Sequence, residues 1–165
     1  MIKSKNKYGF SGLLILLIIA GVISCETQRD PCLQPVSVYM RVRSVKALSD
    51  TTVADSLLPN PRWIAIDSQV ALVFSKQTAS FLLPLNPASD SARFALQPDS
   101  SILMFDTLTF FYDRKLNFIS NACGYCYFFG LHSISTTKHV LDSVRIRNTD
   151  VNGNVNTPDH VQVFF

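Results

Sequence analysis

Glutamate is almost absent from this 165-residue chain, because eleven of its twelve acidic residues are aspartate and the remaining one is Glu26. Aspartate favours turns and helix caps, whereas glutamate suits helix interiors. Phe, Val, Ile, Thr and Tyr are plentiful, and no segment shows a convincing helical apolar period. The composition therefore favours strands over helices.

The signature motifs of common enzymes are also absent. The chain has no G-x-S-x-G, no H-E-x-x-H and no phosphate-binding loop. With a single glutamate, a paired-carboxylate site needs two aspartates, and no such pair stands out. Ser, His and Asp all occur, but no sequence pattern brings them together. We therefore expect no enzyme and no cofactor.

Net charge is confined to the first residues. The formal charge of +3 matches Lys3, Lys5 and Lys7, and the rest of the chain carries twelve basic and twelve acidic side chains. A neutral domain lacks the positive charge that nucleic-acid binding requires. We therefore expect no nucleic-acid partner.

The lysines open a segment that is typical of a secretory leader. An apolar run at residues 13–20 follows them, and it leads into Val22, Ile23, Ser24 and Cys25. About 15 apolar residues fall short of the ~20 that cross a bilayer, which disfavours an uncleaved membrane anchor. Branched apolar residues, a small residue and a cysteine form a lipobox. We therefore expect cleavage before Cys25 and lipid on its thiol.

This prediction divides the chain into a signal peptide over residues 1–24, a lipidated tether over residues 25–35 and one domain over residues 36–165. The N-terminal lipid would hold the protein to a membrane. We expect the outer membrane, with the domain facing either the periplasm or the cell surface.

Short apolar segments recur along the domain between Pro, Asn and Asp residues. Val36, Val38, Met40 and Val42 alternate with polar residues, as in a half-buried strand. Further strands are predicted at residues 63–66, 70–74, 81–85, 93–96, 108–112, from 116 toward 123, and at 125–131, 144–147 and 161–165.

We also expect a turn at Asp113 and Arg114, a central position for residues 125–131, and a short helix or a loop at residues 44–56. About eight strands without a helix predict an all-β fold. The expected form is an antiparallel β-sandwich, either immunoglobulin-like or a small barrel.

Three cysteines remain once Cys25 carries lipid, and the oxidising envelope makes a disulfide expected. Cys123 and Cys126 form a C-x-x-C motif, but their flanks look like strands, where cysteines three apart lie about 10 Å apart. This disfavours a redox role. Gly124 allows a bulge beside Cys123, so we predict a Cys32–Cys123 disulfide with Cys126 free and buried. A disulfide between Cys32 and Cys126 is the alternative.

Two metal sites are conceivable from the sequence, and each has a simpler interpretation. Cys123, Cys126, His132 and His139 lack the spacing of a zinc site, so ordinary histidines are favoured. Residues 148–159 approach a calcium-loop register, with Asn148, Asp150, Asn152, Asn154 and Asn156 at odd positions, Gly153 at the sixth and Asp159 at the twelfth. Asn stands at the first position, and Asp replaces Glu at the last. An Asn-Gly hairpin turn is therefore preferred.

Nine aromatic residues fall within residues 105–129, and core packing is the favoured interpretation because aromatic side chains dominate burial in sandwiches. If exposed, they would offer a surface for sugars, an apolar ligand or a partner. The nine are Phe105, Phe110, Phe111, Tyr112, Phe118, Tyr125, Tyr127, Phe128 and Phe129.

Several short motifs resemble one family. They are residues 118–125 with the aromatic run that follows, the C-terminal residues 160–165, the Asp-Pro-Cys at residues 30–32, the Leu-Pro-Leu at residues 83–85 and the lipobox cysteine. Together they resemble an uncharacterised Bacteroidota lipoprotein family known as domain of unknown function 6452. The resemblance implies a small, lipid-anchored, all-β envelope domain and brings no catalytic residues. Cys126 lies outside the family's pattern.

We therefore expect a non-catalytic structural or interaction module of the envelope, anchored by lipid and possessing an envelope protein partner. The alternative is a lipoprotein that binds a glycan or an apolar ligand through the aromatic stretch.

Overall fold

The computed structural model describes residues 31–33, 37–49, 52–74, 77–154, 156 and 158–165. Contacts within the chain divide it into Met1–Pro31 and Cys32–Phe165, and the second unit is described by itself. The predicted signal peptide and Cys25 lie outside the described residues, as does most of the predicted tether.

Strands account for all the regular structure of the described residues. In chain order they are β1 (Tyr39–Ala47), β2 (Val53–Asp55), β3 (Arg62–Ala65), β4 (Val70–Val73), β5 (Ser80–Pro84), β6 (Ser91–Gln97), β7 (Asp106–Ser120), β8 (Gly124–Thr136), β9 (Ser143–Ile146), β10 (Asp150–Val151) and β11 (Val161–Phe164).

The strands form two open sheets. One has the order β2-β1-β11-β9, with β5 also paired to β1, and the other has the order β10-β8-β7-β6-β3-β4. The sheets pack face to face, since the ring of Trp63 on β3 lies 5.6 Å from that of Phe81 on β5. The predicted all-β sandwich is confirmed, and the small-barrel alternative is wrong.

Buried and outward-facing side chains alternate along the strands, and this alternation explains the composition of the core. Met40 and Val42 of β1, Phe81 and Leu83 of β5, and Phe94 of β6 are all buried, while their strand neighbours Arg41, Leu82 and Arg93 point outward. Each such strand therefore contributes one apolar face to the space between the sheets.

Three details differ from the sequence prediction. Residues 44–56 hold neither a helix nor only a loop, because β1 continues to Ala47 and β2 pairs with it. The described residues form eleven strands instead of the expected eight or so, since β2 and β10 have three and two residues and are too short to show a period. One pairing is parallel, that of β1 with β11, so the sandwich is not wholly antiparallel.

The largest difference concerns β7, which runs unbroken through the predicted turn at Asp113 and Arg114. Both polar side chains have partners outside β7: Asp113 contacts His132 of β8 at 2.9 Å, and Arg114 contacts Asp90, just before β6, at 2.8 Å. Polar pairs across a sheet surface therefore replace the turn that the sequence indicated.

Strand β8 is also less central than predicted. Its neighbours are β7 on one side and only the two-residue β10 on the other. The β7–β8 pairing shifts register where Phe111 faces Ser133 and Tyr112 faces Leu131. His132 is thus an extra residue on β8, and the shift keeps Tyr112 and Leu131 both in the core.

Candidate functional site

The turn of the β7–β8 hairpin is joined to the start of the domain by a disulfide. Cys123 lies between the end of β7 and the start of β8, and it is bonded to Cys32 with the two Cα atoms 4.8 Å apart. Gly124 takes a positive φ of 71°, a conformation that favours glycine and lets the chain turn beside Cys123. The predicted pairing is confirmed.

Cys126 is a free and buried cysteine. Burial raises the pKa of its thiol, which keeps the sulfur protonated and unreactive. Because Cys123 is already bonded to Cys32, the C-x-x-C motif does not form a dithiol pair. The geometry therefore lacks the feature on which a thiol-disulfide exchange site depends.

Beside this disulfide, the hairpin and the residue after Cys32 expose apolar side chains that we call the tip surface. Its members are Leu33, Leu116, Phe118, Tyr125 and Tyr127, each at least 39% exposed. The four hairpin members form two cross-strand pairs, Leu116 with Tyr127 and Phe118 with Tyr125. The rings of Phe118 and Tyr125 lie 5.3 Å apart. Directly opposed residues share a face of the sheet, so these pairs form one continuous patch.

The aromatic stretch of residues 105–129 is thus divided between core and surface. Phe110, Tyr112 and Phe129 are buried, as expected for core packing. Phe118, Tyr125 and Tyr127 belong to the tip surface, while Phe105 and Phe111 are exposed elsewhere. The expectation of core packing is therefore right for only part of the stretch. The sequence carries no signal for this division, since it depends on where the second sheet ends.

A second apolar surface was missed by sequence reasoning. Residues 102–105, which we call the apolar loop, join β6 to β7 and are each at least half exposed, with Leu103 95% exposed. The signal was present as Ile-Leu-Met-Phe, four consecutive apolar residues just before an alternating strand. Such a run cannot bury all its members against one core.

Hydrogen bonds hold the backbone around the apolar loop. The side-chain amide of Gln97 donates to the carbonyl of Ile102 at 2.5 Å. Asp99 accepts from the backbone N–H and the hydroxyl of Ser101, and Ser100 donates its N–H to Asn60. The turn that leads into the apolar loop is therefore fixed as far as Ile102.

Both histidines of the rejected metal site lie beside an aspartate, and neither lies near the cysteines in the contacts of the described residues. His132 Nε2 is 2.9 Å from Asp113, and His139 Nδ1 is 3.0 Å from Asp106. In the part of the chain that the structure describes, no hydroxyl or thiol hydrogen-bonds to either ring. The same residues contain no group of three or more His, Cys, Asp or Glu side chains placed to hold a metal ion.

Asp106 is a buried carboxylate that sequence reasoning also missed. Its Oδ1 accepts from the hydroxyl of Thr137 and the N–H of His139, and its Oδ2 accepts from the N–H groups of Val140 and Leu141, all within 2.8 Å. Burial, the largest single influence, raises the pKa of Asp106, but these hydrogen bonds together outweigh it and hold the pKa at about 2. The carboxylate fixes the connection from β8 to β9.

The calcium-loop candidates use their oxygens locally. Asn148, Asn152 and Asn154 each accept a hydrogen bond from the backbone N–H two residues ahead, at 3.0–3.1 Å. Asp150 lies in β10, and Asp159 faces the guanidinium of Arg43 at 3.8 Å. The Asn side chains thus stabilise turns of their own backbone.

The predicted tight hairpin turn within residues 148–159 is wrong. The segment contributes β10 to one sheet before it reaches β11 in the other, and β11 then pairs with β9. It is therefore a long connection that crosses between the two sheets.

Taken together, the described residues define an open all-β sandwich whose longest hairpin is bonded to the start of the domain and exposes an apolar tip. The chain belongs to DUF6452, a family of unknown function, whose model matches residues 62–165. No curated protein and no solved structure matches the chain. Among the described residues, no helix has the length and apolar character to span a membrane.

Proposed function

We propose that this chain is a lipid-anchored envelope protein without catalytic activity, which binds a partner protein through the apolar loop. The lipobox at Cys25 supports the anchor. The exposure of four consecutive apolar side chains at residues 102–105 carries the binding role. Apolar side chains that are exposed together are typical of interaction sites, because their removal from water on contact with a partner lowers the free energy.

The fixed turn that leads into the loop supports binding as well. Since Gln97 and Asp99 already hold the turn, a partner does not have to order it, and less of the binding free energy is lost to conformational entropy. Leu103 stands at the centre of the loop and is its most exposed member. It is therefore the side chain expected to enter a pocket of the partner.

The absence of catalysis is supported by the placement of the histidines. Each His–Asp pair is accounted for by a local role: Asp106 holds the β8–β9 connection, and Asp113 faces the extra residue His132. A hydrolytic site of the Ser-His-Asp type also needs a nucleophile on the imidazole, and the described contacts supply none.

A photo-crosslinking amino acid at position 103, in full-length protein expressed in its own membranes, tests the binding role. We expect one dominant adduct, and we expect the variant Leu103→Asp to lose co-purification of the same protein. Leu48, which is 64% exposed, is the matched control for both the crosslinker and the aspartate. Equal crosslinking at positions 48 and 103, or none at either, would contradict the proposal.

A second candidate function is binding of a glycan or an apolar ligand beside the tip surface. A pocket of about 280 Å³ is lined by Tyr125, Tyr127 and Phe129 together with Val38 and Leu85 of the opposite side. Aromatic rings in an open pocket suit sugar faces and apolar groups. Glycan-array binding that is lost in Tyr127→Ala, and kept in Leu103→Asp, would favour this candidate over the first.

A further inference from the structure

The disulfide places the hairpin tip close to the proposed lipid anchor along the chain. Cys32 is the seventh residue after Cys25, and it is bonded to Cys123 at the turn between β7 and β8. An extended chain covers at most about 3.6 Å per residue, so Cys32, to which the turn is bonded, lies within about 25 Å of the lipidated residue. The anchor therefore restrains this end of the domain more tightly than any other.

The restrained end has the chemistry of a membrane-interface segment. From Leu116 to Leu131 the sequence contains no Asp, Glu, Lys, Arg or His. The tip surface adds exposed leucine, phenylalanine and tyrosine side chains, with Leu33 directly after the bonded Cys32. Tyrosine is enriched at the bilayer surface because its ring is apolar and its hydroxyl stays hydrated.

We infer that the tip surface of Leu33, Leu116, Phe118, Tyr125 and Tyr127 lies against the bilayer that holds the lipid of Cys25. The inference rests on the anchor proposed above. The exposed Lys115 stands at the border of the uncharged segment, where its ammonium can remain among the headgroups. The five side chains of the tip surface carry no charge, so their insertion does not depend on anionic lipid.

A membrane is favoured over a protein partner for this surface because the anchor supplies proximity. A segment tethered by seven residues meets the bilayer at high effective concentration, so a small apolar patch is enough to keep it there.

The arrangement also gives the domain an orientation. The apolar loop ends just before β7 begins at Asp106, and the tip follows the other end of this 15-residue strand. A strand of that length spans up to about 50 Å. With the tip on the membrane, the apolar loop points away from it, where a partner can reach it.

Lipid quenching of an introduced indole tests the inference. The lipidated full-length protein carrying Tyr125→Trp is reconstituted into phosphatidylcholine vesicles with brominated acyl chains. Leu103→Trp is the matched control at the other end of β7. The native Trp63 is fully buried, and its constant emission is measured in the unsubstituted protein and subtracted. We expect the brominated lipid to remove most of the added emission in Tyr125→Trp, with a blue shift, and to leave Leu103→Trp unchanged.

The outcomes separate this inference from the proposed anchor. If the protein floats with the vesicles, and iodide rather than brominated lipid quenches the indole of Tyr125→Trp, the tip lies in water. This result overturns the inference alone. An indole shielded from both quenchers is covered by something other than lipid, which also overturns it. Protein that carries no fatty acid and fails to float overturns the anchor and the inference together.

Discussion

Arg41 and His160 are joined by two hydrogen bonds, one from backbone to side chain and one from backbone to backbone. The N–H of Arg41 donates to Nδ1 of His160 at 2.9 Å, and the N–H of His160 donates to the carbonyl of Arg41 at 2.9 Å. The imidazole is 2% exposed and must be unprotonated at Nδ1 to accept. Burial, with the nearby positive charge of Arg41, lowers the pKa of His160. These contacts extend the parallel pairing of β1 with β11.

This pair predicts a loss of stability in mild acid. The unfolded chain takes up a proton near pH 6.5, whereas the folded state resists it, so the free energy of unfolding falls as pH drops below 6.5 toward the lowered pKa. His160→Asn retains an acceptor near the position of Nδ1 and does not titrate. We expect urea unfolding of this variant to depend less on pH between 7.5 and 5.5. Equal pH dependence in both proteins would contradict the assignment.

Asp106 predicts a separate loss in stronger acid. Its folded pKa of about 2 lies below the ordinary value of 3.8, so its stabilising contribution is present above pH 3.8 and disappears as pH falls toward 2. The shift corresponds to about 2 kcal/mol. Asp106→Asn places an amide against backbone donors, and we expect it to cost about 2–4 kcal/mol in urea unfolding at pH 7.

Asp113→Asn is the control for Asp106→Asn, because Asp113 is an exposed carboxylate that also faces a histidine. Exposed ion pairs contribute little, so we expect a change below about 1 kcal/mol. If the two variants lose the same stability, the hydrogen bonds of Asp106 do not fix the β8–β9 connection.

The disulfide predicts a redox-dependent stability. It closes a loop with a sequence separation of 91, for which chain entropy gives roughly 4–5 kcal/mol before strain and residual unfolded structure reduce it. We expect Cys32→Ser, or reduction of the native protein, to lower the melting temperature substantially. Cys126→Ala removes the free thiol and serves as the control, with the disulfide retained. Non-reducing peptide mapping that shows a Cys32–Cys126 bond would contradict the pairing.

The lipobox predicts that Cys25 is the mature N-terminus. Because the diacylglycerol is attached through the cysteine thiol, Cys25→Ala is expected to abolish fatty-acid labelling and to leave the precursor uncut. Ser24→Ala keeps a small residue before the cleavage site, so labelling should persist in that control. Labelling that persists in Cys25→Ala would remove the basis of the proposed anchor.

Calcium is predicted to have little effect on this protein. In residues 148–159 three Asn oxygens already accept from their own backbone, and Asp159 faces Arg43. Only two carboxylates remain for the ion, Asp150 and Asp159, which is too little charge for tight binding. Isothermal calorimetry is the measurement, and a dissociation constant in the micromolar range would make this segment a functional site.

The fold class and the position of Cys123 beside a break in its strand could be predicted from single segments of the sequence. Alternation at Val38, Met40 and Val42 reports directly on a strand with one buried face, since side chains alternate across a sheet. The glycine after Cys123 predicted a bulge that frees its thiol, and the structure has the hairpin turn there. The alternation and the glycine are local features, whereas the choice of Cys123 over Cys126 as the partner of Cys32 is a long-range one and kept its alternative.

Which apolar residues are covered depends on how the two sheets pack, and no local pattern reports it. Phe110 and Phe118 lie on one strand and look alike in the sequence, yet the first is buried and the second is 55% exposed. The difference depends on how far the opposite sheet extends along β7. The buried role of Asp106 likewise depends on donors from residues 137–141, more than 30 positions away. Such long-range partners leave no period or motif, because folding alone brings them together.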